Sequence, residues 1–341
     1  MLPWRLAPSR LLAIALASAL TLTALLLTQG GAASHLATRT PATNAPHLLI
    51  PIPTLPSISS LFPAKTPIAL EALGDLRVLV PAGAALYADG NRAMARIADL
   101  VYARGCREHA GLVVDVGGLI GDFSVRAAAA GCQVITFEPQ ARFAALIRAT
   151  AELNGLSRSV TVVAAAVGEE HDTELRMAVG AQPGATSFRA VAQQAGAQAV
   201  RSYRLDQALP ADARVLLLKI DVEGSDVGAL LSAEALLRAG RVHHAVFEFS
   251  AFWTEPGQGR WREVLSWLAA LPTPPRLYAL HRKGVACFGP LREAQFDEFH
   301  SDHIKRRQTD VWVVWEEGFE PGCEGPWVAG AEFDKAGGKE G

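Results

Sequence analysis

The stretch Val113 to Ser124, "VVDVGGLIGDFS", decides how this chain is read. An apolar run ends in an acid, passes through glycines, and continues into residues able to open a helix. Such a turn joins a strand to a helix, and in open α/β sheets ligands sit at the carboxyl ends of strands where the strand order reverses. Glycine turns of this kind hold nucleotides, dinucleotides, phosphates or S-adenosylmethionine, and some only permit tight packing. The residues around the turn have to separate these cases.

Outward from the turn, strands and helices alternate. Strands are expected at Leu112–Val116, Gln133–Glu138, Val160–Ala165, Val215–Asp221, Val242–Phe249, Arg276–Leu280 and Thr309–Trp315. Helices are expected at Asn91–Gly105, with an Asn cap and a Gly stop, and at Asp122–Ala130, Ala141–Asn154, Asp226–Arg238 and Gln258–Leu271. "LRVLVP" from Leu76 reads as a further short strand. Most of the runs are continuously apolar, as in a parallel sheet covered by helices on both faces. The fold class is therefore α/β, a doubly wound, Rossmann-like, seven-stranded sheet. "TELRMAVG", "GATSFRA" and "AQAVRSYRLD" form a small antiparallel insertion between its third and fourth strands.

A dinucleotide fingerprint requires G-x-G-x-x-G, so that a pyrophosphate reaches the helix N-terminus. Here Gly117, Gly118 and Gly121 give G-G-x-x-G, which misses that register. The next strand ends in Glu138, an acid placed to accept hydrogen bonds from a ribose diol. Glycines without a pyrophosphate register, together with a ribose acid, favour S-adenosylmethionine, whose polar end is an amino acid.

"LLLKIDVEGSDVGALL", Leu216 to Leu231, is the second informative block. Alternation sends Lys219, Asp221 and Glu223 to one side, the two acids at the cleft end. Charges in a buried strand require partners or a function. The alternative to a catalytic role is a Lys219–carboxylate ion pair, with Ser225 or Asp226 capping the next helix.

"VVDVGGLIGDFS", "VITFEP", "AAVG" (Ala165–Gly168), "YRLDQAL", "LLKIDVEGSD" and "AVFEFS" together resemble the FkbM-type methyltransferases, a branch of the class I S-adenosylmethionine-dependent enzymes. The blocks run in the family's order over about Leu112 to Ser250, and "KIDVEG" is the most specific. The resemblance implies that Asp115, Gly117, Gly118 and Gly121 shape the methionine end of the cofactor pocket. It also implies that Glu138 binds the ribose and that Ala166 and Val167 border the adenine. Asp221, Glu223 and Glu248 would then stand near the transferred methyl as catalytic residues, and "RLYAL" and "TDVWVVW" would close the sheet as an antiparallel pair. Two positions depart from the family pattern: Leu119 stands where Asn is common, and "EGSD" replaces "EG-x-E", so that Asp226 is one methylene shorter. No metal is expected, since Asp221 and Glu248 lack an evident third ligand. His281 is expected at a solvent-exposed rim with a role as base as its alternative, His243 and His244 at the wrong end of the sheet, and Trp253, Trp261 and Trp267 in packing.

Half of the 341 residues are hydrophobic and the net charge is −2, so no basic excess points to nucleic acid. Residues 1–31 read as an N-terminal signal-anchor: Arg5 and Arg10 precede the uncharged run Leu11–Leu27. At about 1.5 Å per residue that run reaches across a thin bilayer, and the arginines stay on the cytosolic side. A cleaved signal with "GGAAS" at its end, giving a secreted protein, and a transit peptide are the alternatives. Residues 32–75, with prolines at 41, 46, 51, 53, 56, 63 and 67, read as a stem. The catalytic domain spans 76–320, and 321–341 is a Gly-rich tail. Cys106 and Cys132 precede neighbouring strands at one sheet edge, which predicts a disulfide in an oxidising lumen; two packed thiols are the alternative. Cys287 and Cys323 are a second possible pair.

Taken together, the expectation is a membrane-anchored, endomembrane (Golgi or ER) methyltransferase with a lumenal domain. Its acceptor would be a sugar hydroxyl of a glycan or glycoconjugate. A small-molecule or protein methyltransferase, or a non-catalytic cofactor-binding module, are the other readings.

Overall fold

The computed structural model describes residues 48–55, 57, 68–81, 84, 86, 92–109, 111–179, 186–187, 198–249, 260–281, 287–304 and 309–330. A hairpin of β1 (Ile68–Leu73) and β2 (Leu76–Pro81) precedes α1 (Arg92–His109). The alternating unit follows as β3 (Leu112–Val116), α2 (Asp122–Ala129), β4 (Gln133–Phe137), α3 (Ala141–Leu153) and β5 (Val160–Val163). Next come β6 (Ala166–Val167), β7 (Thr173–Val179), β8 (Thr186–Ser187), β9 (Gln198–Tyr203) and the short α4 (Leu205–Ala208). The chain then returns to the main sheet as β10 (Val215–Ile220), α5 (Asp226–Leu231), α6 (Glu234–Arg238), β11 (Val242–Phe249) and α7 (Trp261–Ala269). It closes with β12 (Arg276–Leu280), β13 (Cys287–Phe288), α8 (Phe296–His303) and β14 (Thr309–Val314).

The main sheet has the order β13-β12-β14-β11-β10-β3-β4-β5. From β5 to β11 the pairs are parallel, and β14, β12 and β13 add antiparallel. The chain winds outward from β3 to β5, then crosses back and winds the other way from β10. The order therefore reverses between β3 and β10, where a crevice opens at the carboxyl ends of the strands.

Alternate residues explain the continuous apolar runs. Val114, Ile135, Leu218, Ala245 and Phe247 face one layer, packed with Val227 of α5, Leu236 of α6 and Trp261 of α7. Val113, Val134, Leu217, Val246 and Trp312 face the other, packed with Ile97 of α1, Phe123 of α2 and Leu146 of α3. Both faces are covered, so neither can be polar. Trp261 packs as expected, stacked on Phe247 with ring centroids 5.0 Å apart; Trp267 is a partly buried neighbour of the same core, and Trp253 lies outside the described residues.

Several expectations change. The first helix runs through Gly105 to His109, because that glycine serves close packing and does not stop the helix: a Cβ there would press on the Leu216 side chain of β10. The helix expected over Asp226–Arg238 is two, α5 and α6. Ser232 breaks it, its hydroxyl donating to Ala229 O at 2.6 Å and accepting from Leu205 N–H at 3.3 Å. The sheet has eight described strands where seven were expected, since β13 pairs with the β12 edge. The insertion is antiparallel in β7 with β8 and β9, but β6 joins β9 in parallel.

The flanks hold more structure than their composition implies. In the proline-rich stretch, Leu49 N–H donates to Ala208 O at 2.9 Å and Ile50 is buried in the core. β1 also lies in the segment read as stem; Asn154 of the α3 exit fastens the hairpin by accepting from Arg77 N–H and donating to Arg77 O. In the segment read as a tail, Trp327 is buried against Phe299 of α8, and Gln295 donates to its carbonyl at 2.9 Å. The expected membrane segment lies outside the described residues; among those described, no helix is long and apolar enough to cross a membrane.

Two disulfides are present. Cys106 of α1 joins Cys132 with Cα atoms 4.5 Å apart, and Cys287 of β13 joins Cys323 at 4.6 Å. Peptide mapping without reductant should recover both linked pairs. Replacing Cys106 and Cys132 together by serine should lower unfolding stability by about 2–4 kcal/mol, the usual effect of releasing one such loop. An unchanged denaturation midpoint would count against the first bridge.

Candidate active site

β3 ends at Val116 and the chain turns away through Gly117, whose φ is +85°. A side chain is excluded there twice, by that left-handed backbone and by the carbonyl oxygen of Asp221, which a Cβ would overlap. The Gly117 and Gly118 N–H groups both donate to Phe137 O, at 2.9 and 3.2 Å, which hangs the turn from the end of β4. Lys219 secures it from the other side. Its ammonium is 3.0 Å from Asp115 Oδ1 and donates to Gly117 O at 2.7 Å. Asp115 Oδ2 accepts from Ser124 Oγ at 2.6 Å, and Ser124 also contacts Thr136 Oγ1 at 2.5 Å. Burial pushes the Lys219 ammonium toward neutrality, but the Asp115 and Asp221 carboxylates outweigh it and hold its pKa above the ordinary value. Lys219 and Asp115 are thus a buried ion pair, as the structural alternative anticipated.

Glu138 follows the last residue of β4. Its Oε2 accepts from Leu119 N–H at 2.9 Å and its Oε1 from Gln140 N–H at 2.8 Å. Leu119 sits at φ +47°, in the region where Asn is more easily accommodated than Leu. Its backbone N–H nevertheless makes the contact to Glu138. Burial pushes the Glu138 carboxyl up to about 7, against the two backbone N–H groups and Lys219, which pull it down.

Past Ile220 the chain leaves β10. Asp221 N–H donates to Val116 O at 3.0 Å, continuing the pairing with β3 by one residue. Glu223 then takes φ +52°, so the side it presents is set by a turn and not by strand alternation. Asp226 clamps that turn, accepting from Val222 N–H at 3.0 Å and Gly224 N–H at 3.1 Å. The shorter acid at this place is therefore a backbone clamp. Burial and the nearby Asp221 charge push it up to about 6, against the two N–H groups.

These pieces enclose a cleft of about 750 Å³, counting its open mouth. Of the residues expected at the site, Gly117, Gly118, Glu138, Ala166, Val167, Asp221 and Glu223 line it, with Lys219 at their centre. Asp115 and Gly121 do not reach the wall; Asp115 acts from beneath through Lys219 and Ser124. Glu248 does not line the cleft either. It is buried one strand over on β11, opposite Asp310 of β14. His281, expected at a solvent rim, is only 8% exposed and is also not on the wall. His244 is structural as expected, its Nδ1 accepting from Trp312 Nε1–H at 3.4 Å and its Nε2 meeting Glu316 at 2.7 Å. Burial is the leading cause that lowers its pKa to about 4, so at neutral pH it is a neutral ring donating to Glu316.

Sequence reading missed Asp122, Phe123, Gln140 and Ala165 on the wall. The signal was there for Gln140, which stands two residues after the ribose acid, and for Ala165, which opens the "AAVG" block. The set fits an adenosyl amino acid: a carboxylate acceptor for hydroxyls, a small apolar slot at Ala165–Val167, and a glycine turn beside buried charges.

The fold and cleft are those of an α/β methyltransferase-like domain with a mixed central sheet. Residues 115–274 match the family model described as the methyltransferase FkbM domain. S-adenosylmethionine is accordingly the expected cofactor, and the match supports an S-adenosylmethionine-dependent methyltransferase. No curated protein matches the chain. Among solved structures, an O-methyltransferase from Bacillus cereus in complex with SAH is 14% identical, with 69% of this chain and 84% of that one covered at a TM-score of 0.39. An S-adenosylmethionine-dependent methyltransferase from Agrobacterium tumefaciens is 9% identical, covering 73% and 70% at 0.39. An S-adenosylmethionine-dependent O-methyltransferase from Thermotoga maritima is 13% identical, covering 65% and 64% at 0.32.

Removing one member of a buried ion pair strands the other. Lys219→Met should therefore cost about 3–5 kcal/mol of unfolding free energy, and adding Asp115→Asn should restore part of it. Additive losses in a denaturant titration of the two single variants and the double would show that the pair is not coupled.

A second expectation concerns pH. Glu138 binds its proton more tightly folded (about 7) than unfolded (4.5), so its contribution to stability is present below 4.5 and lost as pH rises through 7. His244 acts in the opposite sense and lower, between about 4 and 6.5. Between pH 6.5 and 8 the ligand-free protein should lose stability, and Glu138→Gln should flatten that slope. Equal slopes in thermal melts of the two proteins would contradict this assignment.

Proposed function

We propose that the chain methylates a hydroxyl oxygen, with a sugar hydroxyl of a glycan or glycoconjugate as acceptor. The observation that carries the reading is the placement of Asp221 and Glu223 on the same cleft as Glu138 and the glycine turn. When bound, the cofactor supplies an electrophilic methyl group on a sulfonium. Glu138 takes the ribose hydroxyls, Ala165, Ala166 and Val167 flank the adenine, and the Gly117–Gly118 turn borders the amino-acid end. Asp221 and Glu223 orient the acceptor hydroxyl. With a cofactor bound to supply the methyl group, one of these carboxylates would accept the proton that the acceptor hydroxyl gives up. Alignment of this kind contributes ~7–11 kcal/mol, and a positioned base about 10²–10⁴-fold. Glu248, outside the cleft wall, has no direct part in this scheme.

The glycan and the compartment rest on separate support. All four cysteines are bridged, which suits an oxidising lumen. The uncharged run Leu11–Leu27 behind Arg5 and Arg10, followed by proline-rich chain, suits a membrane anchor and stem. Incubating the full chain with methyl-labelled cofactor and a glycan array should place label on sugar hydroxyls. Label found only on small molecules or protein would reject the glycan, and cofactor binding without any transfer would reject catalysis. On an identified acceptor, Asp221→Asn and Glu223→Gln should slow turnover while cofactor affinity stays close to wild type. Wild-type turnover in both variants would remove these acids from the reaction.

A further inference from the structure

We propose that Gln140 donates a hydrogen bond to a ribose hydroxyl oxygen of the cofactor, and that Arg142 is the positioning residue that keeps it a donor. This rests on the cofactor reading above. Gln140 enters α3 beside Glu138, is 3% exposed, and lines the cleft. Its side-chain Oε1 accepts twice from Arg142, from Nε at 3.1 Å and Nη2 at 2.9 Å. A guanidinium carries donors only, so the oxygen end of the amide must face it and the amino end must face away. Arg142 is itself held over the Phe143 ring, 4.8 Å from its centroid. Among the described residues nothing accepts from Gln140 Nε2. The side chain thus keeps its N–H donors uncommitted to other described residues on a cleft wall, where a ligand's acceptor can take them.

The neighbouring chemistry says what meets them. Glu138 accepts hydrogen bonds, so the ligand group beside it must donate, and Gln140 donates, so the same region must also accept. A ribose hydroxyl does both: its proton goes to the carboxylate and its oxygen lone pair takes the amide N–H. The apolar walls at Ala165–Val167 offer no such complement, and the glycine turn lies toward the amino-acid end.

The test is calorimetry on the full chain with S-adenosylhomocysteine and its 2′-deoxy and 3′-deoxy analogues. Gln140→Leu should weaken S-adenosylhomocysteine binding about fivefold to tenfold, the worth of one buried hydrogen bond. Against the analogue lacking the contacted hydroxyl, the same substitution should have no further effect, because the two losses are then one interaction. Gln140→Glu keeps the Arg142 contact but offers an acceptor where a donor is needed, and should weaken binding at least as much with an unchanged melting temperature. Arg142→Met should weaken binding in the wild-type background and not in the Gln140→Leu background. Wild-type affinity in Gln140→Leu, or equal losses for all three ligands, would overturn the proposal while leaving the cofactor reading intact. Failure of the wild-type chain to bind S-adenosylhomocysteine would overturn both.

Discussion

The ammonium of Lys219 lies in the middle of a sheet that is apolar on both faces, and much of the site follows from that one buried charge. It tolerates burial only because Asp115 sits opposite it in register on β3 and Gly117 turns a carbonyl toward it. The pair bridges β3 and β10, the two strands between which the winding reverses. The contact that balances the charge therefore also fixes the mouth of the crevice. The Gly117 carbonyl can point at Lys219 only in a left-handed turn, and that turn sends the next N–H groups to Phe137 and to Glu138.

Three acids around the cleft have been given three environments. Asp115 is neutralised by a lysine and serves the scaffold. Asp226 is engaged by two backbone N–H groups and holds the turn that carries Glu223. Glu138 also accepts two backbone N–H bonds but reaches the cleft wall, where its remaining acceptor capacity is available to a ligand. Carboxylates of similar appearance in the sequence are separated by which donors the fold brings to them.

The margins of the domain show a different economy. β13, the chain near Trp327, and the hairpin β1–β2 extend the fold beyond its alternating unit, and they are secured by specific ties. One disulfide staples α1 to the start of β4, and the other staples the β13 edge to the chain before Trp327. The two bridges were legible from the placing of the cysteines, whereas the hydrogen-bonded ties of Asn154 and Gln295 leave no local pattern.

The alternating strands were legible because parallel strands covered on both faces must be apolar throughout, and the helices because their stripes recur. The glycine turn, Glu138 and the Asp221–Asp226 loop were legible for a related reason: a backbone turn and a charge after an apolar run are local events. Gly105 was misread, because whether a glycine ends a helix or admits a neighbour depends on Leu216, over a hundred positions away. Glu248 was placed at the mouth from its position at a strand end, yet the cleft stops one strand short of it. The sequence by itself determined the order of elements, the place of the crevice and the acids at its rim, since these depend on near neighbours along the chain. Only the tertiary structure decided which acid is paired, which clamps backbone and which stays open, and that Gln140 faces the cleft as a donor, because partners such as Lys219 and Arg142 act through space.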